Sequence, residues 1–312
     1  MGKNLFSFLL TDEPYRTIAH YFGTTGETTL TPQDSETRLL LDDIPIITAA
    51  EASHPEYLPA ARSLFLGRDG SLWVRAATEE EVLIHIAVGR FALFVHFFTL
   101  MLRKRRTGTL SETERRTASA LVATLPAIPP VPHLMENLAD NQHATAAIVE
   151  AGTALVTAGL VDAIFGNISC RIGDSLIITR TGTALDRLAG GLTICPLSAD
   201  DGTPYGASVE YPSHRRIVLE TSYRCILHAH PRWTVITSLT EEAPTLWDIP
   251  VVEGTPGAEL AAVIPAAVKE HSAAIVRGHG IFAAGRLDFN EPFTLIYRIE
   301  RAAFATACAA FS

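Results

Sequence analysis

The sequence has 312 residues, which is long enough for two domains. Apolar residues make up 47% of it and charged residues 19%, a balance that excludes a disordered chain. The formal net charge of −9 lacks the basic excess of most nucleic-acid binders, and the basic run at 103–106 is typical of a solvated helix end, so no nucleic-acid partner is expected.

The first part of the chain, residues 1–125, mixes short strands with helices and predicts a smaller α+β domain. LFSFLL and SLWVRA are its clearest strands, and Thr78 with Glu81 forms a capping-box pattern that predicts a helix from Glu79. Residues 82–102 are apolar enough to be tested as a membrane span. Because Arg90 near its centre would be costly in lipid, we interpret the segment as a buried helix, in this domain or at a subunit contact, and expect no membrane partner.

The boundary of this domain is marked by prolines. Ser111 and Glu114 form a second capping box that predicts a helix to Thr124, and LPAIPPVPH then forbids its continuation. We therefore predict an N-terminal domain at 1–125, a proline-rich linker at 126–137 and a second domain at 138–312. No internal repeat is visible, and the role of the first domain stays open, with regulation or oligomerisation as alternatives.

The cysteines and the N-terminal residues indicate the cellular compartment of the protein. The four cysteines form no CxxC pair, so we interpret them as reduced, and the N-terminus lacks a small-residue cleavage site. The sequence therefore predicts a cytoplasmic protein.

The second part alternates helices and strands, which predicts an α/β or α+β class. Helical periodicity runs from Asn141 to a C-cap at Gly159, and two strands, NISCRI and SLIITR, follow around a Gly-Asp turn. Further helices are predicted at 213–222, 257–270 and 291–310, and further strands at RCILHAH and AAIVRG.

Two histidines, His228 and His230, end the strand RCILHAH. Side chains two residues apart on a strand share one face, so both imidazoles can reach one metal ion. His279, between two glycines at the end of another apolar strand, offers a third ligand. Three imidazoles leave a coordination position open, as in catalytic zinc sites, although three ordinary core histidines would give the same pattern.

Short motifs around these histidines carry a family resemblance. FGNISCR at 165–171, TRTGTALDRL at 179–188, SVEYPSH at 208–214, HAHP and RGHG occur in this order. In order and spacing they resemble the class II aldolase/adducin family over about residues 138–312. The resemblance implies a three-layer α/β/α domain with a largely antiparallel central sheet. It also implies a homo-oligomer, with a tetramer as the usual state.

The resemblance also implies roles for individual residues. His228, His230 and His279 match the zinc ligands, one zinc or other divalent metal per chain, and Glu210 matches the catalytic carboxylate. Asn167, Thr181, Gly182 and Ser208 match residues at the substrate phosphate, where a loop of small residues with free N–H groups can hold an oxyanion. Arg180 stands where the family has proline and Val209 where it often has serine, so Arg180 either adds charge for a phosphate or selects a carboxylate.

The function implied is a zinc-dependent lyase of the class II aldolase type. It would carry out retro-aldol cleavage of a small phosphorylated ketose through a metal-stabilised enediolate, with Glu210 moving the proton. Epimerase, dehydratase and decarboxylase chemistry on the same site stay open. A non-catalytic scaffold of the adducin kind is the competing class, and the presence of all three histidines favours an enzyme.

Overall fold

The computed structural model of the chain describes residues 3–126, 129–162, 164–198 and 203–312. Its internal contacts divide the chain into two compact units. Unit 1 is Met1–Ala127 with Thr306–Ser312, and unit 2 is Ile128–Ala305. Residues 127 and 128 of the predicted linker lie outside the described residues, and the predicted domain boundaries stay a prediction.

Unit 1 combines one mixed sheet with helices. Its strands are β1 (Asn4–Leu9), β2 (Thr29–Leu30), β3 (Ile44–Ile47), β4 (Leu64–Gly67) and β5 (Ser71–Ala76). Its helices are α1 (Tyr15–Thr24), α2 (Ser35–Leu41), α3 (Ala49–Ala52), α4 (Glu79–Arg106) and α5 (Glu112–Thr124). The strand order is β1-β5-β4-β3-β2, and β3–β4 is its parallel pair among the described residues.

The apolar segment predicted at 82–102 lies within α4. By length and composition α4 is long enough to cross a membrane, but 61% of its most apolar window is buried within the protein. Phe91, Phe94, Phe97 and Phe98 are fully buried. Arg90 pairs with Asp12 at 2.6 Å. These contacts are those of a core helix, as the arginine in the sequence predicted.

Unit 2 is built on a larger sheet. Its strands are β6 (Asn167–Ile172), β7 (Ser175–Thr179), β8 (Leu192–Pro196), β9 (Cys225–Ala229), β10 (Thr245–Leu246), β11 (Ile249–Val252), β12 (Ala273–Val276) and β13 (Gly280–Gly285). Its helices are α6 (Asn141–Thr157), α7 (Tyr211–Glu220), α8 (Arg232–Thr240), α9 (Ala258–His271) and α10 (Asn290–Phe311), whose last residues belong to unit 1.

The sheet of unit 2 has the strand order β10-β11-β12-β13-β9-β6-β7-β8. Within the described residues β11–β12 is its parallel pair, so the sheet is largely antiparallel, as expected. Ile217 of α7 and Ile264 of α9 belong to one buried apolar cluster with Ile226 of β9 and Phe282 of β13. Because residues two apart on a strand share a face, α7 and α9 lie on the face that also carries His228. The three-layer arrangement stays a prediction.

Local signals predicted many of these elements. The Ser111–Glu114 capping box is present, with both reciprocal hydrogen bonds formed. At α4 the Thr78 side chain accepts the Glu81 N–H, but the Glu81 carboxylate accepts from Ala77 N–H instead of Thr78, so that box is incomplete. Gly159 has a φ of +67° after α6, the left-handed conformation expected of a C-terminal glycine.

Candidate metal centre and its surroundings

The centre of the site is the end of β9. Antiparallel neighbours lie on both sides of this strand: Asn167 of β6 is opposite His228, and Ile281 of β13 is opposite Ala229. His230 directly follows β9 and His279 directly precedes β13. The pairing of two antiparallel strands therefore brings together three histidines from two distant segments of the sequence.

The three imidazoles converge through their Nε2 atoms. Nε2 of His228 lies 3.0 Å from Nε2 of His279 and 3.0 Å from Nε2 of His230. Each histidine is at most 1% exposed. Nδ1 of His228 is 3.1 Å from the carbonyl oxygen of Ile281, which can only accept, so this Nδ1 carries the proton and Nε2 presents a lone pair.

This geometry fits a metal ion. In this tautomer the lone pair of His228 Nε2 can accept a hydrogen bond from one neighbouring ring, whereas a cation between the rings can be bound by all three Nε2 atoms. Potential ligand atoms of all three residues lie within 4.8 Å of one another. Burial lowers the pKa of His228 and His230 well below the usual value and that of His279 to about 4, which keeps the rings in the neutral form that binds metals.

Glu210 lies beside the triad at the N-terminal end of α7. Its Oε1 is 3.7 Å from Nε2 of His279, and its Oε2 accepts a hydrogen bond from the Ser213 hydroxyl at 3.2 Å. Its backbone N–H donates to Ser208 Oγ at 3.3 Å. Both Glu210 and Ser208 are buried. Because α7 covers the face that carries His228, Glu210 at its N-terminal end is brought to the histidines, and Ser208 lies beside Glu210.

The other predicted site residues lie on adjoining segments. Asn167 is buried beside His228, and its Oδ1 has no hydrogen-bond partner in the described part of the chain. The Thr181 hydroxyl donates to the carbonyl of Ala207 at 2.8 Å, which holds the loop at 180–182 next to Ser208. Gly182 has a φ of +73° that favours glycine. The Arg180 side chain is exposed and its Nε–H donates to Leu192, so β8 positions it.

Sequence reasoning did not assign several residues that shape this site. Phe282 stacks on His228 with ring centroids 3.9 Å apart, and Phe165 stacks on His230 at 5.3 Å. Thr179 joins two of the predicted segments: its hydroxyl accepts the N–H of Ile168 at 3.2 Å and its carbonyl accepts the N–H of Ser208 at 3.0 Å. Phe165 and Thr179 lie in motifs that the sequence singled out, whereas the contacts of Thr179 and Phe282 depend on how distant segments pack.

Gly166 permits the start of β6 to approach β9 closely. A Cβ at this position would lie 2.4 Å from the carbonyl oxygen of His228. Gly190 is the matched control, because its φ of +71° is close to the +78° of Gly166 and its Cβ would meet nothing within 4 Å. We expect Gly166→Ala to lower the free energy of unfolding by about 1–3 kcal/mol more than Gly190→Ala does, measured by denaturant unfolding. Equal costs would contradict a close approach at Gly166.

His214 links α7 to β6 and makes stability depend on pH. Its Nδ1 lies 2.7 Å from Ser169 Oγ, and complete burial lowers its pKa from 6.5 to about 3. Between pH 6.5 and about 3 this histidine is protonated in the unfolded chain and neutral in the folded chain. Stability present above pH 6.5 is therefore lost as the pH falls, by about 1.4 kcal/mol per pH unit for this group.

His214→Gln removes that titration while keeping a side chain able to hydrogen-bond Ser169. We expect its free energy of unfolding to fall less steeply than that of the wild type between pH 6.5 and 4.5. Denaturant unfolding at several pH values measures both slopes. Identical slopes would show that His214 is not the buried neutral group described above.

The second part of the chain is similar to known proteins of one family. The profile of the Class II Aldolase and Adducin N-terminal domain matches residues 146–306, which is over half of the chain. Methylthioribulose-1-phosphate dehydratase from Gluconobacter oxydans (strain 621H) is 28% identical over 207 residues, or 56% of this chain and 96% of that protein.

Two solved structures are also similar. L-Fuculose-1-phosphate aldolase from Thermus thermophilus is 32% identical, with a TM-score of 0.47 over 52% of this chain and 91% of that one. The N-terminal class II aldolase domain of a conserved protein from Thermoplasma acidophilum is 15% identical, with a TM-score of 0.45 over 57% of this chain and 99% of that one.

Proposed function

Because the chain belongs to the class II aldolase and adducin family, we propose that it is a metal-dependent lyase that cleaves a small phosphorylated ketose by a retro-aldol reaction. The observation that carries the proposal is the convergence of three buried Nε2 atoms beside the Glu210 carboxylate. A scaffold needs neither. Burying three imidazoles and a carboxylate lowers the stability of the fold, so a functional site explains their presence better than a scaffold does.

The histidines would hold one divalent metal ion per chain, zinc by the preference of imidazole ligands. When bound, such an ion supplies Lewis acidity for the negative charge that develops on substrate oxygens. The tautomer that Ile281 imposes on His228 and the stacking of Phe282 and Phe165 orient the rings before any ligand arrives.

Glu210 would transfer a proton to or from the substrate carbon next to the carbonyl. When the C–C bond of the ketose breaks, the hydroxyl on the departing carbon loses its proton and becomes the aldehyde. The carbon next to the carbonyl keeps the electron pair and must be protonated. Oε2 of Glu210 is held by Ser213, while Oε1 points towards His279 and the metal-binding atoms. A carboxylate fixed at one oxygen and directed at the site with the other is suited to this step, in either direction.

The anionic end of the substrate would lie at Asn167, Ser208 and the loop of Thr181 and Gly182. Asn167 supports this because its Oδ1 has no partner among the described residues, so the amide can turn and present its N–H donors to an anion. Arg180 adds a cation to the same loop and suits a phosphate or a carboxylate. Val209 is 53% exposed and offers no hydroxyl there.

Dehydration is the second candidate reaction. It is favoured by the match to a methylthioribulose-1-phosphate dehydratase over 96% of that protein's length. Both reactions need a proton moved at the carbon next to a carbonyl, so both use Glu210 in the same way.

Incubation of the metal-loaded chain with a panel of 1-phosphorylated ketoses, followed by mass spectrometry, tests the proposal. Retro-aldol cleavage gives two fragments, dehydration gives one product lighter by one water, and epimerisation leaves the mass unchanged. We expect fragments from at least one substrate. A product lighter by water would move the assignment to a dehydratase. No conversion of any substrate by a chain that holds its metal would contradict a sugar-phosphate lyase.

A further inference from the structure

Unit 1 and part of unit 2 share one topology. The strand order β2-β3-β4-β5-β1 of unit 1 matches β10-β11-β12-β13-β9 of unit 2. In each set the second and third strands of that order are parallel, and the other neighbours are antiparallel. Helices follow in the same places, since α1, α3 and α4 come after β1, β3 and β5 as α8, α9 and α10 come after β9, β11 and β13.

The ladders allow a residue-by-residue alignment of the two sheets. With Val74 placed on Ala283, the strand pairings assign a counterpart to each paired residue, and the β4–β5 and β12–β13 hairpins have loops of the same length. Corresponding partner pairs are Phe6–Val74 and Leu227–Ala283, Leu64–Val74 and Ala273–Ala283, Ile46–Leu66 and Val251–Ile275, and Leu30–Ile44 and Leu246–Ile249. Shared topology alone is common among sheets, but the equal hairpin loops are a condition that the pairings do not impose.

Hydrogen bonds outside the ladders match as well. Arg68 N–H donates to Ile47 at 2.9 Å as Arg277 N–H donates to Val252 at 2.9 Å. Arg75 N–H donates to Ser63 at 2.8 Å as Ala284 N–H donates to Ser272 at 2.8 Å. Identical residues stand at the corresponding positions Thr29-Leu30 and Thr245-Leu246, Asp43-Ile44-Pro45 and Asp248-Ile249-Pro250, Ser63 and Ser272, and Arg68 and Arg277. Unit 1 therefore has the features of a second, divergent copy of the region from β9 to α10.

The copy in unit 1 has none of the metal-binding side chains. By the shared register Ser7 and Leu9 stand where unit 2 has His228 and His230, and Gly70 stands where it has His279. A hydroxyl, an isobutyl group and a bare Cα cannot replace three imidazoles as zinc ligands. Unit 1 therefore has another role than the catalysis proposed for unit 2.

The copy also lacks counterparts of β6, β7 and β8. In unit 2, β9 lies between β13 and β6, whereas β1 pairs with β5 on one side and with no other strand of the described residues. Arg171 N–H donates to the carbonyl of Arg224, so the backbone groups of residues 226 and 228 point towards β6. The corresponding residues of β1 include Leu5 and Ser7, whose backbone groups face the open edge.

The open edge of β1 lacks the usual protection against pairing. Exposed edge strands normally carry charges, prolines or bulges, but Asn4–Leu9 has no charged residue and no proline. Phe6 is 40% and Leu9 68% exposed. A second copy of β1 fits this edge, because two identical antiparallel strands are related by a twofold axis. Each β1 would then take the place beside the other that β6 takes beside β9 in unit 2.

We propose that unit 1 is a metal-free partial copy of the catalytic unit whose role is assembly, and that its β1 edge pairs antiparallel with β1 of a second chain. Ser7→Pro in the full chain tests this. The ring removes the N–H that faces the open edge, where proline is tolerated, and leaves the ladder to β5 intact. Ser7→Ala is the matched control.

Light scattering after gel filtration, at several concentrations, gives the mass of each form. We expect wild type and Ser7→Ala to share one mass and Ser7→Pro to have half of it. Equal masses for the two variants, with unchanged circular dichroism, would overturn the proposal, as would a monomeric wild type. Neither variant touches the histidine triad, so the result does not depend on the proposed function.

A second measurement covers the case that Ser7→Pro does not fold. Ser7→Cys in the full chain, treated with a short bis-maleimide, is expected to give a covalent dimer on a denaturing gel. The wild type, treated alike, controls for its own cysteines. The absence of a dimer specific to Ser7→Cys would overturn the pairing.

Discussion

Glu210→Gln is expected to lower kcat by about 10²- to 10⁴-fold, the usual effect of removing a general acid–base group. The amide keeps the size of the side chain and can still accept the Ser213 hydrogen bond. It cannot carry a proton to carbon, so the chemical step loses its proton donor while the three imidazoles keep the metal. Steady-state kinetics with the best substrate of the ketose panel measures the loss, and elemental analysis of the same sample measures the metal.

Glu220→Gln is the matched control for that variant. Glu220 is the exposed last residue of the same helix, α7, and pairs with Arg216 at 2.6 Å. An exposed ion pair of this kind contributes little, so we expect kcat and metal content of the wild type. A fully active Glu210→Gln would contradict the role of Glu210. A variant that lost its metal as well would place Glu210 among the metal-holding groups instead.

Removal of the metal is expected to abolish turnover and lower the Tm by several degrees. In the absence of a cation, Nε2 of His228 faces two other nitrogens at 3.0 Å within a buried site. A metal that binds the folded chain and not the unfolded one stabilises the former by mass action, and a chelator withdraws that stabilisation. Differential scanning fluorimetry before and after dialysis against a chelator measures the shift, and added zinc should restore both Tm and turnover.

The paired variant His228→Ala/His230→Ala shows whether the effect comes from this site. Its Tm should be lower than that of the wild type and should respond neither to the chelator nor to zinc. A shift of the same size in the variant would mean that the chelator acts elsewhere on the chain.

Local sequence signals account for much of the fold. The alternation of NISCRI and SLIITR around Gly173 predicted the β6–β7 hairpin, which the structure closes by pairing Ile172 with Ser175. Periodicity predicted α6 and α10 to within a few residues. Strands β8, β10 and β11 were not predicted, because each has at most five residues and shows little alternation of apolar and polar side chains.

The candidate site was predicted in part. The spacing of His228 and His230 predicted a shared face, because it depends only on the pleat of one strand. The meeting of His279 with Glu210 could not be derived from spacing, since it requires β13 beside β9 and α7 across the sheet; the family resemblance supplied it. Thr179 opens the TRTGTALDRL motif, but its two hydrogen bonds follow from tertiary structure.

The correspondence between unit 1 and unit 2 was not visible in the sequence, and the reason is physical. Connections between matching strands differ in length: β2 and β3 are joined through α2, whereas β10 and β11 are joined by the two-residue turn of Trp247 and Asp248. Matching residues are therefore not separated by one fixed distance along the chain, which is what a repeat search by period detects. The strand pairing of the two units still shows which residues correspond, although insertions and substitutions have hidden this in the sequence.

Elemental analysis of the purified chain, beside His228→Ala/His230→Ala, tests the central claim most directly. The account predicts about one zinc or comparable divalent ion per chain in the wild type, by the open three-histidine arrangement, and none in the variant. Wild-type protein that holds no metal even after zinc is supplied would contradict it, and would leave the three imidazoles as core residues of a non-catalytic member of the family.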